Sequence, residues 1–276
     1  MAKTFRMLSG ALLLGCCLSA CESPGTRTVA VQPVPEIRPG ILQGYLPMSE
    51  PFRSVEFVAA SPQEAGAEQQ LDDAVSRYAL TLRATPRWEM AKRDADLAFP
   101  AAAETFSCAL GIPVTEAETP ALYMLLRRSL ADVGLATFSA KEAYNRSRPF
   151  VINGQPTCSP EDEEKLRSNG SYPSGHASLG WGWALILAEL APERAETILA
   201  RGRAFGESRL VCNVHWYSDI VAGRMVGAGA VASLHANAEF RAAMQAASAD
   251  IASARKRGLE PGQDCAAQQE NLSFGL

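Results

Sequence analysis

SYPSGHASLGWGWALILAEL, residues 171–190, is the stretch that decides the fold. Its first half is a Pro-Ser-Gly-His turn of the kind that opens a helix, with Ser174 able to cap and Gly175 leaving the backbone accessible. Its second half, Gly180 to Leu190, is apolar but shorter than the roughly 20 residues a bilayer span requires, so it reads as a buried core helix. Downstream, Ala191-Pro192 opens another helix running to about Gly206. A further helix begins near His215 and passes through Gly223, Gly227 and Gly229, whose small size permits close helix contact. Upstream, Thr119-Pro120 looks like an N-cap with a first-turn proline, followed by the apolar face Leu122, Leu125, Leu126 and Leu130. Leu71, Val75, Tyr78 and Leu82 recur at helical steps before it. Strand-like alternation is scarce, so an all-α fold in a single domain is expected.

At 276 residues, 47% of them hydrophobic, the chain can bury one substantial core. Its net charge of -4 gives no sign of nucleic acid as a partner, so any useful positive charge must be local. Lys3 and Arg6 precede the short apolar run Met7 to Leu18, the layout of a signal peptide. Leu18-Ser19-Ala20-Cys21 then resembles a bacterial lipobox, which makes Cys21 the lipidated first mature residue and the route to a membrane. Glu22 after it suggests sorting to the outer membrane, with the protein facing the periplasm. The organisation expected is a lipoprotein signal over 1–20, a proline-rich tether and arm over 21–65, a helical catalytic domain over 66–257 and a polar tail over 258–276. Of seven cysteines, Cys16 and Cys17 leave with the signal. Besides Cys21, the remaining Cys108, Cys158, Cys212 and Cys265 are disulfide candidates in an exported protein, and spacing does not choose among their three pairings.

The chemistry lies in KEAYNRSRP (141–149), SYPSGH (171–176) and ESRLVCNVHWYSD (207–219). A phosphoryl group needs cations and N–H donors around a small volume. Lys141 and Arg148 are seven apart, so one helix ended by Pro149 could aim both at one pocket, while Arg209 arrives from a distant segment. Arg146 and Arg167 read as solvated surface charges. Ser174 and the Gly175 amide add donors at a helix start, with His176 beside the anion. His215 and Asp219 are at i and i+4 on one helix face, where the carboxylate can hold one ring nitrogen and leave the other nucleophilic. With three histidines and no further carboxylate cluster, no metal site is expected, and His235 reads as structural or exposed.

Lys141…Arg148-Pro149, then Pro173-Ser174-Gly175-His176, then Ser208-Arg209…His215…Asp219 resembles, unbroken, the three-part signature of the type 2 phosphatidic acid phosphatase and vanadium haloperoxidase superfamily. SAKEAYNRSRPF, NGSYPSGH, GESRLVCNVHWYSD and VASLHANAEF look more closely like the bacterial class A nonspecific acid phosphatases, over roughly residues 43 to 256. The resemblance implies a helical bundle and broad hydrolysis of small phosphomonoesters without a cofactor. In that scheme His215 forms a phosphohistidine, Asp219 orients it, and His176 protonates the leaving alcohol. Lys141, Arg148, Ser174, Gly175 and Arg209 hold the phosphoryl oxygens, and an alcohol can replace water as acceptor. An acidic to near-neutral optimum follows from a protonated His176 and a neutral His215. The resemblance also favours Cys158 with Cys212, leaving Cys108 with Cys265, and allows a homo-oligomer. Ala177 departs from the threonine common in relatives. The alternatives are a vanadium haloperoxidase, a lipid phosphatase and a silent phosphate-binding lipoprotein.

Overall fold

The computed structural model describes residues 1–2 and 33–272. The expected signal peptide, apart from its first two residues, the lipidation site Cys21 and the chain end beyond 272 lie outside the described residues. A small antiparallel hairpin, β1 (Glu36–Arg38) and β2 (Ile41–Leu42), comes first. Helices follow: α1 (Ser54–Phe57), α2 (Ala67–Leu80), α3 (Pro86–Ala95), α4 (Ala101–Glu104) and α5 (Ser107–Leu110). The middle of the chain forms α6 (Pro120–Leu135), α7 (Phe138–Tyr144), α8 (Pro149–Asn153), α9 (Glu163–Arg167) and α10 (Gly175–Leu190). The last group is α11 (Ala195–Val211), α12 (Tyr217–Ala236), α13 (Ala238–Lys256) and α14 (Cys265–Glu270). The fold is all-α, and from Val34 onward the chain forms one compact unit. Among the described residues, no helix is long and apolar enough to cross a membrane.

The apolar stretch after the Pro-Ser-Gly-His turn becomes α10, the central helix, packed on α11, α12 and α6. Trp183 on α10 is fully buried, its indole N–H donating to Ser129 Oγ at 3.1 Å, with Phe99 and Phe106 set edge-on. At about 25 cal/mol per Å² for the roughly 200 Å² an indole buries, this side chain stabilises the core by about 5 kcal/mol. α12 crosses α10 at backbone distance. A Cβ on Gly223 would stand 2.5 Å from Ser174 O and one on Gly227 2.3 Å from Ser178 O, so any side chain there would drive the helices apart.

Several local expectations shift. Thr119 takes the N-cap position of α6, but its hydroxyl donates to Pro113 O and Thr115 O; the free N–H groups of Ala121 and Leu122 are met by Asp250 of α13. The expected stop at Gly206 does not occur, because that glycine is an interior contact against Ala177 and α11 continues to Val211. Pro149 opens α8 where the sequence pattern had it close a helix: α7 ends at Tyr144, and Asn145 turns left-handed. On α2 the buried residues are Asp72, Val75 and Ala79, while Leu71 is exposed.

Part of the proline-rich arm is anchored on the bundle. The N–H groups of Tyr45 and Leu46 donate to the Asp132 carboxylate, and Arg128 donates to the carbonyls of Gln43 and Gly44 while its guanidinium covers the Tyr45 ring. Toward the other end, Cys108–Cys265 holds α14 to the core. The second disulfide joins Cys158 to Cys212, at the end of α11.

Candidate active site

His215 precedes α12 instead of riding on it: Trp216 is the N-cap and Tyr217 the first helical residue. Asp219 sits in the first turn, where its Oδ2 accepts the Trp216 N–H at 2.9 Å and lies 3.1 Å from His215 Nδ1. The pairing is therefore made by a capped helix start, with the histidine tied back to Arg209 O through its own N–H. His215 Nε2 faces Arg148 Nη1 at 3.2 Å. A guanidinium can only donate, so Nε2 carries the lone pair and Nδ1 carries the hydrogen that Asp219 accepts. Burial, then the charges of Arg148, Lys141, Arg209 and Arg146, hold His215 well below the usual histidine range.

Three cations converge here. Lys141, from α7, donates through Nζ to Gly170 O at 2.9 Å and Ser171 O at 3.1 Å, which leaves a third ammonium hydrogen for a ligand. Burial and neighbouring Arg148 push it down to about 7. Arg148 is the N-cap residue of α8 and is buried against the carbonyls of Leu166, Asn169, Gly170 and Val214. Arg209 stands on the last turn of α11, a placement made by the helix running past Gly206. It is buried, its Nε has no partner among the described residues, and Nη1 meets the Cys212 sulfur at 3.7 Å. A buried guanidinium N–H without an acceptor is costly unless an anion completes it. Arg209 and Arg148 are both pushed down to about 10, chiefly by burial.

Ser174 caps α10, its Oγ accepting the Ala177 N–H at 3.2 Å, while its own N–H donates to Asp219 O and so joins the start of α10 to that of α12. Gly175 is the first helical residue. His176 follows, half-buried, its ring stacked on Phe205 and its Nε2 3.1 Å from Ala95 O. A carbonyl can only accept, so Nε2 is protonated and the Nδ1 edge is left for chemistry. Burial and Arg209 hold His176 well below its usual range, and His215 contributes, placing the two rings within electrostatic reach.

The structure thus brings all three motifs into one buried cluster. His235 stands apart, paired with Glu189, and Arg167 is exposed over the Phe150 ring. Arg146 is not a solvated charge: its side chain is largely covered and ion-paired to Asp72 and Asp219. Asp72 was not foreseen; an acid on the buried face of α2 was its signal, masked by the leucine beside it. Among the described residues no cluster of three or more metal-ligating side chains occurs. A cavity of about 1130 Å³ between α3, α4 and α14 is not lined by any of these site residues.

The family model of the PAP2 superfamily matches residues 121–241. A non-specific acid phosphatase of Providencia stuartii is 44% identical over 213 residues, covering 77% of this chain and 86% of that protein. An acid phosphatase of Zymomonas mobilis subsp. mobilis is 40% identical over 74% of this chain and 78% of its own length. A non-specific acid phosphatase of Salmonella typhimurium is also 40% identical, over 70% and 80%. The chain belongs to the PAP2 superfamily, among its acid phosphatases.

Proposed function

We propose that this phosphatase hydrolyses small phosphate monoesters through a covalent intermediate on His215, using cationic side chains where other phosphatases use metal ions. The observation that carries this reading is the His215 tautomer, with Nδ1–H held by Asp219 and the Nε2 lone pair turned to the cations. Lys141, Arg148, Arg209, the Ser174 hydroxyl and the Gly175 amide take the phosphoryl oxygens, the substrate displacing Arg148 from Nε2. The lone pair then forms the N–P bond as the P–O bond breaks, and the departing oxygen takes a proton from Nδ1 of His176. In the second half His176 removes a proton from water, water oxygen bonds to phosphorus, and the N–P electrons return to Nε2. An alcohol in place of that water gives phosphotransfer. Asp219 supports the positive charge of the phosphohistidine.

Burial and the neighbouring cations favour the neutral form of both rings. For His215 this preserves the nucleophile into acid solution. For His176 the sign is opposite: its acid form grows as pH falls, aided by the negative charge of the bound phosphoryl group, so the optimum lies on the acid side. The test is hydrolysis of p-nitrophenyl phosphate from about pH 4 to about pH 9 with excess EDTA, comparing wild type with His215→Ala. EDTA-resistant activity that vanishes in the variant supports the reading. Activity surviving the substitution rejects the nucleophile, and loss to EDTA rejects the metal-free cradle.

We also propose a periplasmic protein anchored through lipidated Cys21, on the strength of Leu18-Ser19-Ala20-Cys21 and of disulfides that suit an oxidising compartment. Release of Cys21→Ser from the membrane fraction is the expected result; unchanged fractionation would reject it.

A further inference from the structure

Behind Asp219 lies a set of buried charges that the phosphoryl cradle does not use. Arg146 Nη1 donates to Asp219 Oδ1 and to Ser218 Oγ, both at 2.7 Å. Its Nη2 donates to Asp72 Oδ2 and Gln69 Oε1, both at 2.6 Å. Asp72 in turn accepts the Ser218 N–H at 2.7 Å and the Ser218 hydroxyl at 2.6 Å. The guanidinium also lies over the Trp216 ring, 5.4 Å from its centroid. Side-chain exposures of 8% for Arg146, 1% for Asp72 and 0% for Asp219 put the whole chain of charge out of water. One planar guanidinium thus bridges two carboxylates from α2 and α12, a task that suits arginine and not lysine.

We propose that Arg146, itself held by Asp72, is a positioning residue for the phosphatase reaction, fixing the Asp219 carboxylate against His215 Nδ1. Asp219 divides its oxygens, Oδ2 to His215 and the Trp216 N–H and Oδ1 to Arg146, so the arginine bond sets the carboxylate's rotation. It also sets its charge. Burial pushes Asp219 up, and Arg146 leads the charges that pull it back. The other charged or titratable groups around Asp219 are His215 before α12, Lys141 from α7, Arg148 at the start of α8, Tyr172 before α10 and Asp72 from α2. A protonated Asp219 would leave the phosphohistidine without its counter-charge. The proposal rests on His215 being the nucleophile.

The experiment measures kcat, KM and the acidic limb of the pH–rate profile for the full chain as wild type, R146Q, R146K, D72N and H215A. For R146Q, kcat falls on the order of 10- to 100-fold, the effect of losing a partner that orients a reacting ligand, while KM changes little. Its acidic limb moves to higher pH, because Asp219 and His215, titrating as a pair, take protons more readily without the arginine. For D72N the limb moves to lower pH, since one carboxylate then has the whole guanidinium. R146K restores part of kcat and part of the limb. Opposite shifts in R146Q and D72N are the expected result, because loosened structure alone would move neither limb in a charge-dependent direction. Limbs that stay put or move together in the two variants overturn the proposal. Should R146Q fail to fold, an unmoved limb in D72N, or R146K matching wild type throughout, overturns it. Active H215A rejects the nucleophile itself; inactive H215A with wild-type behaviour at Arg146 rejects only the positioning role.

Discussion

Lys141 carries a charge set to change close to neutrality. Its depressed value of about 7 means the ammonium is present below that pH and is lost above it, so phosphate binding is strongest in acid and weakens as pH rises through 7. Competitive inhibition by sulfate, whose own charge is constant there, should weaken by about tenfold between roughly pH 6 and 8 in wild type. In Lys141→Met it should be weaker throughout, without a step near neutrality; a step that persists would place the titration elsewhere. Arg209 presents a different trade. Its buried Nε has no partner among the described residues, a desolvation cost that an anion bound in the proposed cradle would relieve. Arg209→Met should raise Tm, while kcat/KM falls at least about 100-fold. Calorimetry beside steady-state kinetics checks both halves, and a lowered Tm would show that the guanidinium is satisfied.

Helices decide where these groups point. The α10–α12 crossing brings Ser174 and Asp219 together, because the backbones meet over Gly223 and Gly227 without side chains between them. Gly223→Ala puts a methyl 2.5 Å from Ser174 O, beside the cap that opens the Pro-Ser-Gly-His helix. The expected cost is about 1–3 kcal/mol in thermal unfolding together with a loss of kcat. Gly262, with open space where a methyl would stand, should accept alanine with both quantities unchanged. The helical pattern of α10 and the contact role of the α12 glycines were legible in the sequence, since both are local properties. The helix ends were less so. Arg148 and Lys141 were expected on one helix, yet a left-handed Asn145 separates α7 from α8, and the two cations arrive from different elements. Of the expected α2 stripe, Val75, Tyr78 and Leu82 do pack, but Leu71 is exposed and the packed face carries Asp72 beside it, whose carboxylate is satisfied by Arg146 and Ser218.

Across the whole molecule, two disulfides hold different things. Cys158–Cys212 braces the turn between Arg209 and His215, while Cys108–Cys265 ties down α14 far along the chain. Their separations of 54 and 157 residues imply, by loop closure alone, about 1 kcal/mol more stabilisation from the longer loop. Replacing both Cys108 and Cys265 by serine should lower Tm and leave kcat near wild type. Replacing Cys158 and Cys212 should lower Tm and also kcat, because Cys212 lies between Arg209 of the proposed cradle and His215, the proposed nucleophile. Equal kcat in the two double variants would remove any active-site role from the first bridge.

The sequence by itself determined the helical class and the motif spacing that carries the family resemblance, and it supplied the residues proposed to handle phosphate, because these depend on residue chemistry and on neighbours a few positions apart. Only the tertiary structure decided that Arg146 belongs with Asp72, 74 positions away, that Asp250 rather than Thr119 satisfies the start of α6, and that His215 stands before its helix. Those outcomes depend on which distant polar groups are buried together. Once water is excluded, each donor must find an acceptor wherever the packed helices bring one, and no local pattern along the chain records where that is.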